Sequence, residues 1–277
     1  MRQICLTCKS VKNIKDTTHK TKKANWKIKV GLKTIFPNDD IPNLNNIKEF
    51  KPKNSNVKQI LNLSKNDIGK YLLYYAADMK QSCNKIPSPQ ESYNNFSNRG
   101  ITKVNKDGQA IINLRCPNMY QTENKSFYPH VHYILTNQKN TKWVNKLYTK
   151  IVVCDINKKE VKEKIKNNCT MIINALPIEY YIKSRIPNSI SLPYDQLKKI
   201  SDKEIISYIK SMIKNYPKLN KLVESKKIKI LDIPIITYCY NNTCNASEKL
   251  VDRLLDVGFK NIKEYSNGIQ GWTGKYD

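Results

Sequence analysis

The chain has 277 residues, more than the roughly 100 to 200 residues of one ordinary domain, so two domains are expected. Its composition, 39% hydrophobic with 17 Tyr and 8 Gly, is that of a globular protein, and no apolar run approaches the roughly 18 residues of a membrane span. The net charge of +26 is unevenly spread: residues 1–150 hold 27 Lys/Arg against 9 Asp/Glu, residues 151–277 hold 22 against 14.

Ten basic side chains and the single acid Asp16 fall within residues 1–33, a pattern compatible with an arm on nucleic acid or another polyanion. Lysine enrichment along the whole chain is equally compatible with a coding bias that fills exposed positions. The start, Met1-Arg2-Gln3-Ile4-Cys5, lacks the apolar core of a secretory signal, which predicts a cytoplasmic protein and reduced thiols. Cys5-x-x-Cys8 is half of a zinc-ribbon pattern, but no second pair stands where a tetrahedral site needs one. Residues 1–60, with the turn formers Pro37-Asn38-Asp39-Asp40, read as a basic arm and linker.

Residues 61–148 carry short β-branched and aromatic segments punctuated by Asn, Gly and Pro, and read as a small, mostly β domain. The best strand candidates are Ile101–Val104, Ala110–Leu114 and His130–Leu135, with a turn at Lys106-Asp107-Gly108. Alternation along the last of these puts the rings of His130 and His132 on one face.

From residue 151 the pattern changes. Ile151-Val152-Val153 reads as a strand, and Asn157 with Glu160 as the capping box of a helix bearing Val161 and Ile165. Met171-Ile172-Ile173 is a second strand. Ser201 with Glu204 caps another helix, with Ile205, Ile206, Ile209, Met212 and Ile213 on its apolar face. Ile233–Tyr238 is a continuous apolar run, as in a strand covered on both faces. Leu250, Val251, Leu254 and Leu255 form a helical stripe that stops at Gly258. Alternating strands and helices over 151–277 predict an α/β domain with a parallel sheet.

Between that buried strand and that helix lies Cys239-Tyr240-Asn241-Asn242-Thr243-Cys244-Asn245-Ala246-Ser247. The carboxyl end of a parallel strand opens onto the crevice where such sheets bind ligands, and it faces the amides of the next helix. A thiol there is placed for chemistry on sulfur, with loop amides converging to favour thiolate, whereas a buried cysteine that only packs is the plainer alternative. Cys244 is placed to resolve an oxidised Cys239 as a disulfide.

Glu179-Tyr180, Ile186-Pro187-Asn188-Ser189-Ile190, the strand ending in Cys239, the helix after Ser247, Gly258-Phe259 and Gly268-Ile269-Gln270-Gly271-Trp272 follow one another in an order that resembles the rhodanese (sulfurtransferase) family. The resemblance implies the α/β rhodanese-like fold over 151–277 and a persulfide on Cys239. It also implies a small sulfur donor, a thiol or cyanide acceptor, and no required cofactor. Two departures favour the alternative, an inactive rhodanese-like module that docks a protein partner. Asn174-Ala175-Leu176 replaces the family's Asp-x-Arg, and no Arg or Lys stands between Tyr240 and Ser247. Phosphatases of this fold need an arginine where Asn245 stands, which disfavours that class.

In the β domain, Pro117-Asn118-Met119-Tyr120, Tyr128-Pro129 and His130-x-His132 resemble the closing section of intradiol ring-cleavage dioxygenases. That resemblance implies a β-sandwich with Tyr120, His130 and His132 as iron ligands, or, as the favoured alternative, a metal-free sandwich that keeps only the fold. The family's other tyrosine would fall near Cys83.

Overall fold

The computed structural model describes residues 42–78, 82, 85–93, 96–123, 125–144 and 146–274, together with the backbone of strand β1 (Trp26–Ile28). The basic arm, Cys5, Cys8 and Cys83 lie outside the described residues. Two compact units divide between Val152 and Val153. Among the described residues, no helix is long and apolar enough to cross a membrane.

The amino-terminal unit is mostly β. It contains β2 (Val57–Asn62), β3 (Tyr71–Ala76), helix α1 (Pro89–Ser92), β4 (Arg99–Lys103), β5 (Gln109–Leu114), β6 (Tyr120–Gln121), β7 (Ser126–Phe127), β8 (His130–Leu135) and β9 (Leu147–Ile151). Five strands form an antiparallel sheet in the order β1-β9-β8-β3-β4, while β2 pairs with β5 and β6 with β7. All six residues of β8 are buried because it lies inside this sheet, between β3 and β9. The turn after β4 forms around Asn105, whose Oδ1 accepts from the amides of Asp107 and Gln109 (3.0 and 2.8 Å). It leads into β5, which pairs with β2 and not with β4.

Tyrosines fill much of this core: Tyr74, Tyr75, Tyr93, Tyr120 and Tyr133 are all buried. Tyr74 faces Gly100 on the paired strand and donates to the Asn113 carbonyl at 2.8 Å. A Cβ at Gly100 would run into that phenol, so glycine there makes room for the ring. Asp78 is clasped by Arg115 through Nε–Oδ1 at 2.7 Å and Nη2–Oδ2 at 2.5 Å, and the guanidinium lowers the carboxyl's pKa.

The carboxy-terminal unit is the expected α/β domain. Its strands are β10 (Cys154–Asp155), β11 (Met171–Asn174), β12 (Ser189–Ser191), β13 (Ile235–Tyr238) and β14 (Ile262–Tyr265), all parallel in the order β10-β14-β13-β11-β12. Its helices are α2 (Lys158–Asn167), α3 (Ile178–Lys183), α4 (Tyr194–Leu197), α5 (Asp202–Met212), α6 (Pro217–Glu224), α7 (Ala246–Val257) and α8 (Gly268–Thr273). The capping boxes at Asn157/Glu160 and Ser201/Glu204 both form. Every residue of β11 and β13 is buried, the signature of strands covered on both faces. Val161 of α2 and Ile269 of α8 pack with Ile172 and Ile236 in one cluster. Leu250, Val251, Leu254 and Leu255 of α7 are buried, each contributing roughly 1.5–3 kcal/mol by burial.

Two expectations are corrected. Ile151–Val153 is not the first strand of this unit: Ile151 ends β9 of the other sheet, and the short β10 takes that place. An apolar triplet carries no mark of which sheet it joins. The cysteines are not all reduced either, since Cys116, Cys154 and Cys169 are disulfide-bonded and Cys239 and Cys244 are free thiols. Spacing along the chain does not reveal which sulfurs the fold brings together.

Candidate functional site

The sequence-predicted cysteine loop leaves the central strand β13 and enters α7. Cys239 is fully buried. Alternation places it on the face of Thr237, opposite Tyr238. The phenol of Tyr238 accepts from the Ile186 amide at 3.1 Å and lies 2.8 Å from Ser189 Oγ, so the residue before the cysteine is pinned beneath the sheet.

The environment of the sulfur differs from a ring of amides. Sγ donates toward the Cys244 carbonyl at 3.1 Å and faces the Asn241 carbonyl at 3.7 Å. Ser247, the second residue of α7, supplies its hydroxyl at 3.3 Å and its backbone amide. Burial and the Cys244 thiol push the Cys239 thiol up to about 11, against the lowering by Ser247. The resting group is therefore a neutral thiol, because carbonyl oxygens reward S–H and penalise S⁻. Ser247 Oγ also lies 2.6 Å from Oε1 of the half-buried Glu264 on β14.

Of the other predicted loop residues, Asn242, Thr243 and Asn245 are exposed, while Tyr240, Asn241, Cys244 and Ala246 are half-buried. Asn241 Oδ1 accepts from the amides of Thr243 and Cys244, both at 3.2 Å, which closes the loop as an Asx turn. The Gly-Ile-Gln-Gly-Trp segment holds the loop from outside. The amides of Ile269 and Gln270 donate to the Cys239 and Tyr240 carbonyls at 3.0 and 2.9 Å, and Gln270 Oε1 accepts from Asn241 at 3.1 Å. Gly268, at φ +55°, is required by this contact: a Cβ would stand 2.5 Å from the Cys239 carbonyl oxygen. Trp272 is flanked by Lys158 and Lys162, 5.7 and 5.9 Å from its ring centroid.

Within the amino-terminal unit, the structure brings Tyr120, His130 and His132 together and adds Tyr93, which follows α1. The Nε2 atoms of His130 and His132 are 3.0 Å apart. Tyr93 Oη lies 3.1 Å and Tyr120 Oη 3.2 Å from His130 Nε2, with the two hydroxyls 3.4 Å apart. His130 Nδ1 lies 2.5 Å from the Tyr128 carbonyl, which can only accept, so its proton sits there and Nε2 carries the lone pair. Burial lowers the His130 pKa to about 4, burial and the neighbouring His130 hold that of His132 well below the usual imidazole value, and burial raises both phenols. Sequence counting missed Tyr93. Its position depends on how the chain turns after α1, which no motif marks.

Among the described residues, no group of three or more His, Cys, Asp or Glu is placed for a metal, so a metal in this unit would need the tyrosine oxygens.

The chain resembles known proteins in its carboxy-terminal part. No curated protein matches it. Similar solved structures include the human single-domain sulfurtransferase TSTD1 (12% identity, 46% of this chain and 100% of that one, TM-score 0.32). They also include the BH2092 protein of Bacillus halodurans (22%, 44% and 72%, TM-score 0.31). A third is a thiosulfate sulfurtransferase of Pseudomonas aeruginosa (18%, 45% and 20%, TM-score 0.29). Residues 157–275 match the family model of the rhodanese-like domain, and with its parallel five-stranded sheet and flanking helices the carboxy-terminal unit is a rhodanese-like domain.

Proposed function

We propose that the rhodanese-like domain transfers sulfane sulfur through a persulfide on Cys239. The observation that carries this reading is the placement of the thiol. Of the five described cysteines, three are bridged, and the two left free both lie in the loop between β13 and α7. Structural disulfides belong to oxidising surroundings, where a spare thiol that only packs is a liability. Those same bridges weigh against the cytoplasmic location expected from the amino terminus.

In the reaction, Cys239 loses its proton and attacks the outer sulfur of thiosulfate. A sulfur–sulfur bond forms on Cys239 as the bond to sulfite breaks, and sulfite leaves with its electron pair. Cyanide or a thiol then takes the outer sulfur and returns the Cys239 thiolate. The Ser247 amide and hydroxyl, at the start of α7, are placed to hold the anionic sulfur. With no Arg or Lys in the loop, binding of the thiosulfate dianion should be weak, and a less charged persulfide donor suits the site better.

Intact mass after incubation with thiosulfate or a small persulfide tests this. The wild type and Cys244→Ser should gain one sulfur atom, and Cys239→Ser none. Wild-type protein that never gains sulfur would leave the alternative, a non-catalytic module that docks a protein partner.

For the amino-terminal unit we infer a metal site made of Tyr93, Tyr120, His130 and His132. The geometry favouring it is the crowding of two phenols and a second imidazole around His130 Nε2, which has one lone pair to share. Four of the six donor–donor distances, 3.0–3.4 Å, match the edges of a tetrahedron with metal bonds of about 2.0 Å, which are roughly 3.3 Å long. Bound ferric iron would supply Lewis acidity and turn the buried phenols into tyrosinates. The burial of all four side chains, at most 4% exposed, suits a closed, structural ion better than an open catalytic one.

A further inference from the structure

We propose that Glu264 is the acceptor of the Cys239 proton, reached through the Ser247 hydroxyl, so that Cys239, Ser247 and Glu264 form a proton relay across β13, α7 and β14. This rests on the sulfur-transfer reading of Cys239 and deepens it.

Three observations carry the relay. The atoms are in line: Sγ to Ser247 Oγ is 3.3 Å, and Oγ to Glu264 Oε1 is 2.6 Å. Their elements enforce it, since Glu264 is the register partner of Thr237 on β13, two residues before Cys239 and on the same face, while fully buried Ser247 sits on the helix lying over that face. Third, no Arg or Lys stands in the loop from Tyr240 to Ser247 to stabilise a thiolate, and the two backbone oxygens facing Sγ, those of Cys244 and Asn241, can only accept from it, which leaves the Ser247 hydroxyl as the route for the proton.

Ser247 has a single hydroxyl proton. In the resting state the short bond to the carboxylate takes it, as a charge-assisted bond outcompetes one to a neutral thiol. As Sγ attacks the donor, the S–H turns from the Cys244 carbonyl to Ser247 Oγ, 3.3 Å away, its proton passes to that oxygen, and the former hydroxyl proton passes to Oε1. The serine then donates its new O–H toward the anionic sulfur, and Glu264 is left as a neutral acid. No atom or charge is left over. Glu264, half-buried, returns the proton to solvent between turnovers. Ser247 touches the reacting sulfur, and Glu264 acts only through it.

A carboxylate that served only as a nearby charge would act in the opposite direction. Its negative charge opposes thiolate formation, so its removal would speed sulfur uptake. The test compares rates of sulfur gain from a small persulfide in the full-length wild type and in Glu264→Gln, Glu264→Asp and Ser247→Ala, with melting curves to confirm folding. The relay predicts a loss of about 100-fold in Glu264→Gln and Ser247→Ala, at the low end of general-base contributions, and partial recovery in Glu264→Asp. Uptake by Glu264→Gln at or above the wild-type rate overturns the relay and leaves Cys239 as the sulfur carrier. If the wild type takes up no sulfur, alkylation of Cys239 by a neutral iodoacetamide still decides. Slower alkylation in Glu264→Gln supports the relay apart from sulfur transfer, and equal or faster alkylation refutes it.

Discussion

Replacing Gly268 by alanine tests how the cysteine loop is held. At φ +55° an alanine bears the left-handed backbone penalty, about 1 kcal/mol. Its Cβ would also stand 2.5 Å from the Cys239 carbonyl oxygen, closer than van der Waals contact allows. Relief requires the Ile269 and Gln270 amides to retreat from the carbonyls of Cys239 and Tyr240, at about 1 kcal/mol for each hydrogen bond. The sum is about 3 kcal/mol. Gly274 is the internal control, since it too is left-handed (φ +75°) but has nothing among the described residues within 4 Å of its Cβ position. Gly274→Ala should therefore cost only about 1 kcal/mol. With a urea dependence of about 2 kcal/mol per molar, the midpoints should fall by about 1.5 M and about 0.5 M respectively. Hydrogen exchange on β13 peptides in graded urea assigns the loss to this unit, and Cys239 in Gly268→Ala should be alkylated faster as the loop loosens. Equal midpoints for the two variants would refute the carbonyl clamp.

The alkaline limit of stability should carry the mark of Cys239. Its folded-state pKa, about 11, lies above the ordinary 9.0, so its contribution is fully present below pH 9 and disappears as the pH rises to 11. The loss amounts to about 2–3 kcal/mol. Stability of wild type minus Cys239→Ala, measured from pH 8 to about pH 11, reports it, and a flat difference would contradict the neutral resting thiol. For the metal site, titration with ferric iron should give a visible tyrosinate band that weakens in Tyr93→Phe and Tyr120→Phe. Protein that stays colourless, with no metal retained on desalting, would end that proposal.

Where sequence and structure agree, a repeated local signal carried the information. The apolar run to Tyr238, the α7 stripe and Gly258, whose φ is +106°, each state a periodicity or a backbone requirement that tertiary context does not alter. Alternation likewise predicts the shared face of His130 and His132, whose ring centroids lie 4.5 Å apart. The disagreements concern direction and partnership. The loop composition fits amides or carbonyls turned toward a sulfur equally well, and the fold turns the carbonyls of Asn241 and Cys244 that way. Ser247 reads as a residue at a helix entrance, yet the cap is Asn245 without a side-chain bond, and the serine turns inward. Glu264 follows Ile262 and Lys263 with no motif around it, and only the register with Thr237 reveals its neighbours.

The pairing of β10 with β14 bears on how the chain is made. Asp155 accepts from the Ser266 amide and hydroxyl at 2.9 and 2.7 Å, across 111 residues of chain. At about 5–20 residues per second, β10 leaves the ribosome roughly 5–20 seconds before its partner exists. The sheet therefore cannot be completed during synthesis of the six helices α2 to α7 that precede β14, however early they form. During that wait an unpaired strand is open to pairing with other nascent chains, and the brevity of β10, two residues, keeps that hazard small.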